Sequence, residues 1–301
     1  MKELVIVSGK GGTGKTSLTA AFASLAENAL LCDADVDAAD LHLLMDPEVK
    51  VSNAFMGGAI AAIDAKRCIG CGRCLELCRF EAISETFIVD PLDCEGCGVC
   101  VDLCPEQAID FPVQKCGEWF TSTTRFGPMV HARLGIAEEN SGRLVSVIRK
   151  AARELAEEQG LDVILTDGPP GIGCPVIASI TGATALVIVV EPTVSGCHDM
   201  ERVADLAAHF KLPGMVLINK YDLNPEMSAT IEDVATRRNL EVVGRIPFDP
   251  VFTQAMVQGK NVLEYPGNAP VQGIIRELWK NIINSPAMND TRIVDLKAIL
   301  Q

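Results

Sequence analysis

Eight of the twelve cysteines fall into two copies of one spacing: Cys68, Cys71, Cys74 and Cys78, then Cys94, Cys97, Cys100 and Cys104, the last followed by Pro105. In C-x2-C-x2-C-x3-C three closely spaced thiolates converge on one centre and a fourth stands a short step beyond, a pattern suited to iron–sulfur clusters and one-electron chemistry. Zinc also uses C-x2-C pairs, but it closes its shell with four ligands and has no use for a third x2-spaced cysteine in each run. A second group of residues has a different chemistry. Gly9, Lys10, Gly11, Gly12, Thr13, Gly14, Lys15 and Thr16 satisfy G-x-x-x-x-G-K-[ST]. Glycines there let successive N–H groups and a helix N-terminus face a β-phosphate, with Lys15 along the β- and γ-phosphates and the Thr16 hydroxyl on Mg²⁺.

Such a loop works only between a strand and a helix. Leu4 to Val7 is a short apolar β run that ends at Ser8-Gly9, and from Lys15 onward Leu18, Phe22, Leu25 and Ala29 share one helical face. Further buried strands are expected at Leu30 to Cys32, Val163 to Leu165, Ala185 to Val190, Met215 to Ile218 and Val242 to Ile246. Amphipathic helices are expected around Leu144, Val147, Ile148, Ala151 and Leu155, around Val203, Leu206, Ala207 and Phe210, and around Ile274, Ile275, Leu278 and Ile282. Apolar strands alternating with helices predict an α/β fold with a doubly wound, mainly parallel sheet.

That rhythm breaks between about Asp64 and Pro112 and resumes near Ser141. The cysteines therefore sit in an insertion. The expected organisation is a nucleotide domain in two parts, 1–63 and 141–285, an inserted small α+β domain over 64–112, a connecting segment over 113–140 and a tail over 286–301. Val49 to Ile63 and Gly117 to Leu134 are β-prone and expected as short strands anchoring the insert. In the tail, Ile293, Leu296 and Leu300 have helical spacing, but Arg292 and Lys297 are too few cations for a membrane-surface helix.

A formal charge of −14 repels nucleic acid and anionic lipid, so neither is expected as a general partner. With no run of 18 apolar residues and no cationic leader, the reading is a cytoplasmic protein whose cysteines bind metal rather than form disulfides.

Lys10 in Lys-Gly-Gly-x-Gly-Lys-Thr makes the loop resemble the variant phosphate loop of the MinD/ParA family and the nitrogenase iron protein. Asp33-Ala34-Asp35-Val36-Asp37 with Asp40-Leu41 resembles that family's first switch. Asp167-Gly168-Pro169-Pro170-Gly171 resembles its second, and Asn219-Lys220-Tyr221-Asp222 and Ile246-Pro247-Phe248-Asp249 its base-binding segments. The resemblance covers residues 1 to about 60 and 140 to 285, and is closest to MinD-superfamily ATPases carrying an inserted ferredoxin domain. It implies an ATP-dependent homodimer in which Lys10 reaches the partner's phosphates. It also implies Asp35 as water-orienting residue, Asp33 and Asp167 in the outer Mg²⁺ shell, Gly168 as γ-phosphate sensor, and Asn219 and Pro247 at the adenine. For Asp37 and Asp40, stabilisation of a helix N-terminus is an equally good account. Asn219 to Asp222 also spells N-K-x-D, by which many GTPases read guanine; the family resemblance favours ATP.

The cysteine runs resemble those of bacterial two-cluster ferredoxins, in which the fourth cysteine of each run ligates the other cluster. This implies one [4Fe-4S] cluster on Cys68, Cys71, Cys74 and Cys104 and another on Cys94, Cys97, Cys100 and Cys78. Arg79 stands where proline usually follows Cys78. Cys32 is expected in the core, Cys116 and Cys197 as structural, and Cys174 as a buried residue or a thiol near the second switch. The leading expectation is an ATPase whose nucleotide switch controls electron transfer through the insert to a redox or assembly partner. The alternatives are an iron–sulfur assembly or carrier ATPase using Cys174, and a partner-positioning ATPase with structural or sensory clusters.

Overall fold

The computed structural model describes residues 1–135 and 140–289. The tail residues Arg292, Ile293, Leu296, Lys297 and Leu300 lie outside the described residues. In chain order the elements are β1 (Lys2–Ser8), α1 (Lys15–Ala23), β2 (Ala29–Asp33), α2 (Leu41–Met45), β3 (Glu48–Ala59), β4 (Ala62–Ile63), α3 (Arg73–Leu77), α4 (Val99–Asp102), β5 (Ile109–Asp110), β6 (Val113–Thr124) and β7 (Gly127–Leu134). They continue as α5 (Ser141–Gln159), β8 (Val163–Pro170), α6 (Cys174–Ile180), β9 (Ala185–Val190), α7 (Val194–His209), β10 (Gly214–Asn219), α8 (Pro225–Arg237), β11 (Glu241–Ile246), α9 (Val251–Val257), α10 (Ala269–Asn284) and α11 (Pro286–Asn289).

A nine-stranded sheet runs β11-β10-β9-β1-β8-β2-β7-β6-β3. Pairing is parallel from β11 across to β7. Strand periodicity assigns β1 to two cores at once. Leu4 and Ile6 face a layer built from Leu18 and Phe22 of α1, Leu41 and Met45 of α2, and Ile275 and Leu278 of α10. Val5 and Val7 face the opposite layer, with Ile180 of α6, Met200 and Val203 of α7, and Ile231 of α8. All of these side chains are fully or almost fully buried, so both sheet faces are covered and the strands read as continuous apolar runs.

The structure corrects several expectations. α1 ends at Ala23, and Ala29, expected on its face, begins β2; the left-handed Asn28 (φ 50) turns the chain between them. The buried face of α5 is Leu144, Val145, Ile148, Arg149, Ala152 and Ala156, while Val147, Ala151 and Leu155 are half-buried. An arginine displaces the apolar stripe because Glu3 in β1 is there to receive it: Arg149 Nε donates to Glu3 Oε1 at 2.7 Å and its NH1 to the carbonyls of Ala178 and Thr181.

Among the described residues two compact units result: Met1–Ser52 with Trp119–Arg133 and 141–289, and Asn53–Glu118 with 134–135 and Asn140. The second unit thus has wider limits than 64–112. β3 and β6, expected as short anchoring strands and part of a connection, are each 12 residues long, and strand pairing extends the unit beyond the cysteine runs. Within it β4 and β5 pair antiparallel, Ala62 with Asp110 and Ile63 with Ile109, beside the short helices α3 and α4. No helix among the described residues is long and apolar enough to cross a membrane.

Candidate functional site

The strands of the first unit deliver their C-terminal ends to one place: Ser8 from β1, Asp33 from β2, Asp167 from β8, Val190 from β9 and Asn219 from β10. This is where open parallel sheets bind ligands. The loop between β1 and α1 crosses it. Gly14 takes the left-handed conformation (φ 87) immediately before α1, and a Cβ there would lie 2.6 Å from Asn219 Nδ2, so only glycine is compatible. No side chain caps α1, and its first-turn N–H groups are available to an anion.

Beneath the loop lies a charge cluster. Lys15 is buried; its Nζ donates to Asp167 Oδ1 at 2.8 Å and to Asp35 Oδ2 at 3.2 Å. Asp167 also accepts from Thr16 Oγ1 at 2.7 Å and from Thr19 Oγ1 at 3.0 Å. Burial works against the Lys15 ammonium, but the carboxylates of Asp167, Asp35 and Asp33 outweigh it and hold its pKa above the usual lysine value. Burial pushes Asp33 well up, with Asp167 adding to the effect, and burial also raises Asp35 against the pull of Lys15. Asp33 Oδ1 accepts from the Asp35 amide, while Asp33 Oδ2 is buried without a partner. Three carboxylates share one ammonium, so the donor set fits an added hard divalent cation, which needs only one or two carboxylates beside water and phosphate oxygens. Thr16, Asp33 and Asp167 are the residues in place to hold Mg²⁺.

The remaining expected residues divide. Gly9 and Lys10 are half-buried, and Gly11 and Gly12 exposed, along the loop. Gly168 follows Asp167 inside β8, where a Cβ would lie 2.8 Å from Val7 Cγ1. Asp37 and Asp40 are exposed; Asp40 occupies the N-cap position of α2 without a side-chain capping hydrogen bond, and Asp37 precedes that helix by four residues. Asn219, expected at the base, stands at the end of β10 against the phosphate loop. It is buried, its Nδ2 donates to the Thr13 carbonyl at 2.8 Å and its Oδ1 accepts from the Lys220 amide, which makes it a strut under the phosphate loop. Asp222 Oδ1 accepts from the Phe248 amide at 2.6 Å, and Pro247 next to it is half-buried. Sequence reasoning missed Thr19 and Glu191. Thr19 lies one helical turn after Lys15, and that i+4 spacing was the available signal; Glu191, 3.4 Å from Lys10 Nζ, had no local signal at all.

In the second unit the eight thiols line two cavities. One is bounded by Cys68, Cys71, Cys74 and Cys104 together with Ile63, Ile69 and Phe87. The other is bounded by Cys78, Cys94, Cys97 and Cys100 together with Leu77, Phe80 and Phe111. Gly72 and Gly98, at equivalent places in the two runs, take matching left-handed conformations (φ 78 and 76) before α3 and α4 and turn each chain around its cavity. Burial raises the thiol pKa of Cys74 and of Cys100, and neighbouring thiolates add to it. Among the described residues no three His, Cys, Asp or Glu side chains are gathered as ligands of a single metal ion. Of the other cysteines, Cys32 and Cys116 are buried, Cys197 is intermediate and Cys174 is exposed at the start of α6.

Sheet, strand-end loop and buried Lys–Asp cluster define a P-loop nucleotide-binding domain. Residues 4–262 match the family described as the CobQ/CobB/MinD/ParA nucleotide binding domain, and the chain belongs to that family. It is 30% identical over 283 residues to an uncharacterized protein of Methanocaldococcus jannaschii, covering 93% of this chain and 96% of the relative. An uncharacterized ATP-binding protein of the same organism is 24% identical over 280 residues, covering 90% and 84%. Among solved structures, the septum site-determining protein MinD of Pyrococcus horikoshii, complexed with Mg-ADP, matches with a TM-score of 0.57 at 18% identity, covering 94% of this chain and 96% of that one.

Proposed function

We propose that this chain is an ATPase whose nucleotide state controls electron transfer through two [4Fe-4S] clusters held by its cysteine unit. One observation carries the reading: the eight thiols divide four and four between two cavities, with Cys104 and Cys78 exchanged between the runs. A cubane takes one thiolate on each of four irons, so its thiols stand apart around a cavity instead of meeting at one ion. Cys68, Cys71, Cys74 and Cys104 would hold one cluster and Cys78, Cys94, Cys97 and Cys100 the other. Bound clusters of this kind store and transfer single electrons.

At the phosphate site, the loop amides and Lys15 bind the β- and γ-phosphates, and Thr16, Asp33 and Asp167 hold Mg²⁺. Phosphoryl transfer to water depends on charge neutralisation and a positioned water more than on a strong base, and Asp35 is the group assigned to that water. Gly168 senses the γ-phosphate, and Lys10 acts across an ATP-dependent homodimer. Membership of the MinD/ParA-type family favours adenine over guanine, and Asp222 Oδ1 already accepts from the Phe248 amide. The acidic chain then hands electrons to, or accepts them from, a redox or assembly protein.

The test is an anaerobic EPR-monitored redox titration of the reconstituted protein with and without ATP and Mg²⁺. Coupling of about 1–3 kcal/mol is typical between linked sites, and for a one-electron group it corresponds to a potential shift of roughly 40–130 mV. Linkage is reciprocal, so ATP affinity must differ between oxidised and reduced protein. Two stable clusters, intact ATP hydrolysis and no shift in either direction would overturn thermodynamic gating.

A further inference from the structure

At the edge of the phosphate loop two lysines converge on one carboxylate. Glu191, the residue after β9, accepts from Lys220 Nζ at 2.5 Å and lies 3.4 Å from Lys10 Nζ. Its side chain is 16% exposed, against 29% for Lys220 and 36% for Lys10. Lys220 is fixed from several sides: its backbone is left-handed, its amide donates to Asn219, and its Nζ lies 3.5 Å from the Gly12 carbonyl. Apart from the Glu191 contact, Lys10 is anchored through its backbone, where its carbonyl accepts from Ser8 Oγ at 2.8 Å. The backbone of Lys10 is therefore held, while among the described residues its side chain is held by the Glu191 contact alone.

We propose that Glu191 is a positioning residue that keeps Lys10 within its own chain until a second chain takes it, and so sets the protein concentration at which the nucleotide-bound protein dimerises. The proposal rests on the reading above in which Lys10 acts across a dimer. The asymmetry of the two contacts supports it. The longer and more exposed Lys10 contact is the one that opens. When it does, Lys220 remains on Glu191, so no partly buried carboxylate is left without a counter-charge. Lys10 meanwhile moves away from the like charge of Lys220.

The contact opposes dimerisation twice, once per chain of a symmetric dimer. An ion pair of this exposure changes an equilibrium about threefold, so removing both copies tightens the dimer about tenfold. The experiment is sedimentation equilibrium of the complete, cluster-reconstituted protein in Mg²⁺ and AMPPNP, comparing wild type with Glu191→Gln, which keeps a hydrogen-bond acceptor for Lys220. The expected result is a dimer Kd about tenfold lower for Glu191→Gln. Lys10→Ala, which removes both the tether and the contact across the dimer, is expected to weaken the dimer, and adding Glu191→Gln to it is expected to cause no further change. Glu191→Asp, shorter but still charged, is expected between the two and serves where the glutamine variant does not fold. An unchanged or weaker Glu191→Gln dimer, or the same shift in the Lys10→Ala background, overturns the proposal. A wild-type protein that binds AMPPNP yet stays monomeric overturns the dimer reading itself and this proposal with it. A wild-type dimer indifferent to residue 191 overturns the proposal alone.

Discussion

Lys15 satisfies two carboxylates and Asp167 satisfies three donors, so the phosphate site is held in shape by its own charges before any ligand arrives. Charge-assisted hydrogen bonds of this kind are worth about 1.5–3 kcal/mol each, so Lys15→Ala is expected to weaken Mg-ATP binding roughly 10- to 100-fold in a calorimetric titration. Asp222 supports a sharper comparison. With its carboxylate tied to Phe248, Asp222→Asn should leave the preference for ATP over GTP in place, measured by competition. A selective loss of GTP binding would show instead that Asp222 reads guanine. His131 in β7 is buried, its Nε2 2.8 Å from Ser122 Oγ, and burial, assisted by the charge of His42, pushes its pKa down to about 4. A histidine depressed in the folded state contributes stability above its unfolded pKa of about 6.5 that is lost as pH falls towards the folded value. Urea denaturation of wild type and His131→Gln at pH 7 and pH 4.5 should therefore show the wild type losing more stability on acidification. The motif residues Gly9 to Thr16 were legible because their chemistry depends on spacing along the chain. The contact of Asn219 with the Thr13 carbonyl was not, since it joins residues 206 apart in the chain.

Helix α5 and the turn between β6 and β7 owe their placement to polar anchors that periodicity does not reveal. Glu3 in β1 accepts from Arg149 Nε at 2.7 Å and from Arg153 Nε and NH2 at 3.0 and 2.7 Å, with Glu3 and Arg149 both buried. Removing one member of a buried ion pair leaves its partner uncompensated and costs about 3–5 kcal/mol, so Glu3→Gln is expected to destabilise the protein by that order in urea denaturation. The turn between β6 and β7 is anchored by Arg125. Its Nε and NH2 donate to the two Glu264 oxygens at 2.7 and 2.8 Å, and NH2 also donates to the Leu44 carbonyl of α2 at 2.6 Å. Arg125→Ala should cost about 1–3 kcal/mol in the same assay. The apolar strand runs announced β1, β2, β8, β9 and β10, because near-complete burial on both faces leaves little choice of residue; the edge strand β11 was announced by Val242, Val243 and Ile246 despite its exposed Glu241 and Arg245. The face of α5 was misread for the opposite reason: an arginine counts as exposed until its partner strand is known.

For the molecule as a whole, the crossed division of the thiols gives the clearest prediction. Cys104→Ser should remove iron from the site of Cys68, Cys71 and Cys74, and Cys78→Ser from the site of Cys94, Cys97 and Cys100. Each variant is expected to lose about half the bound iron, and EPR should show a different remaining cluster in each. Loss of the same signal in both would overturn the crossed assignment. The sequence by itself determined the phosphate loop and the α/β class and marked out the two thiol runs, because such motifs act over a few residues and buried strands are written in local composition. Only the tertiary structure decided that β3 and β6 are long strands that widen the second unit, that Asp33 keeps an unpartnered oxygen beside the Lys15 pair, and that Glu191 meets Lys10 and Lys220. These contacts join residues far apart in the chain, and a charge or an amide carries no local mark of the partner that folding will bring to it.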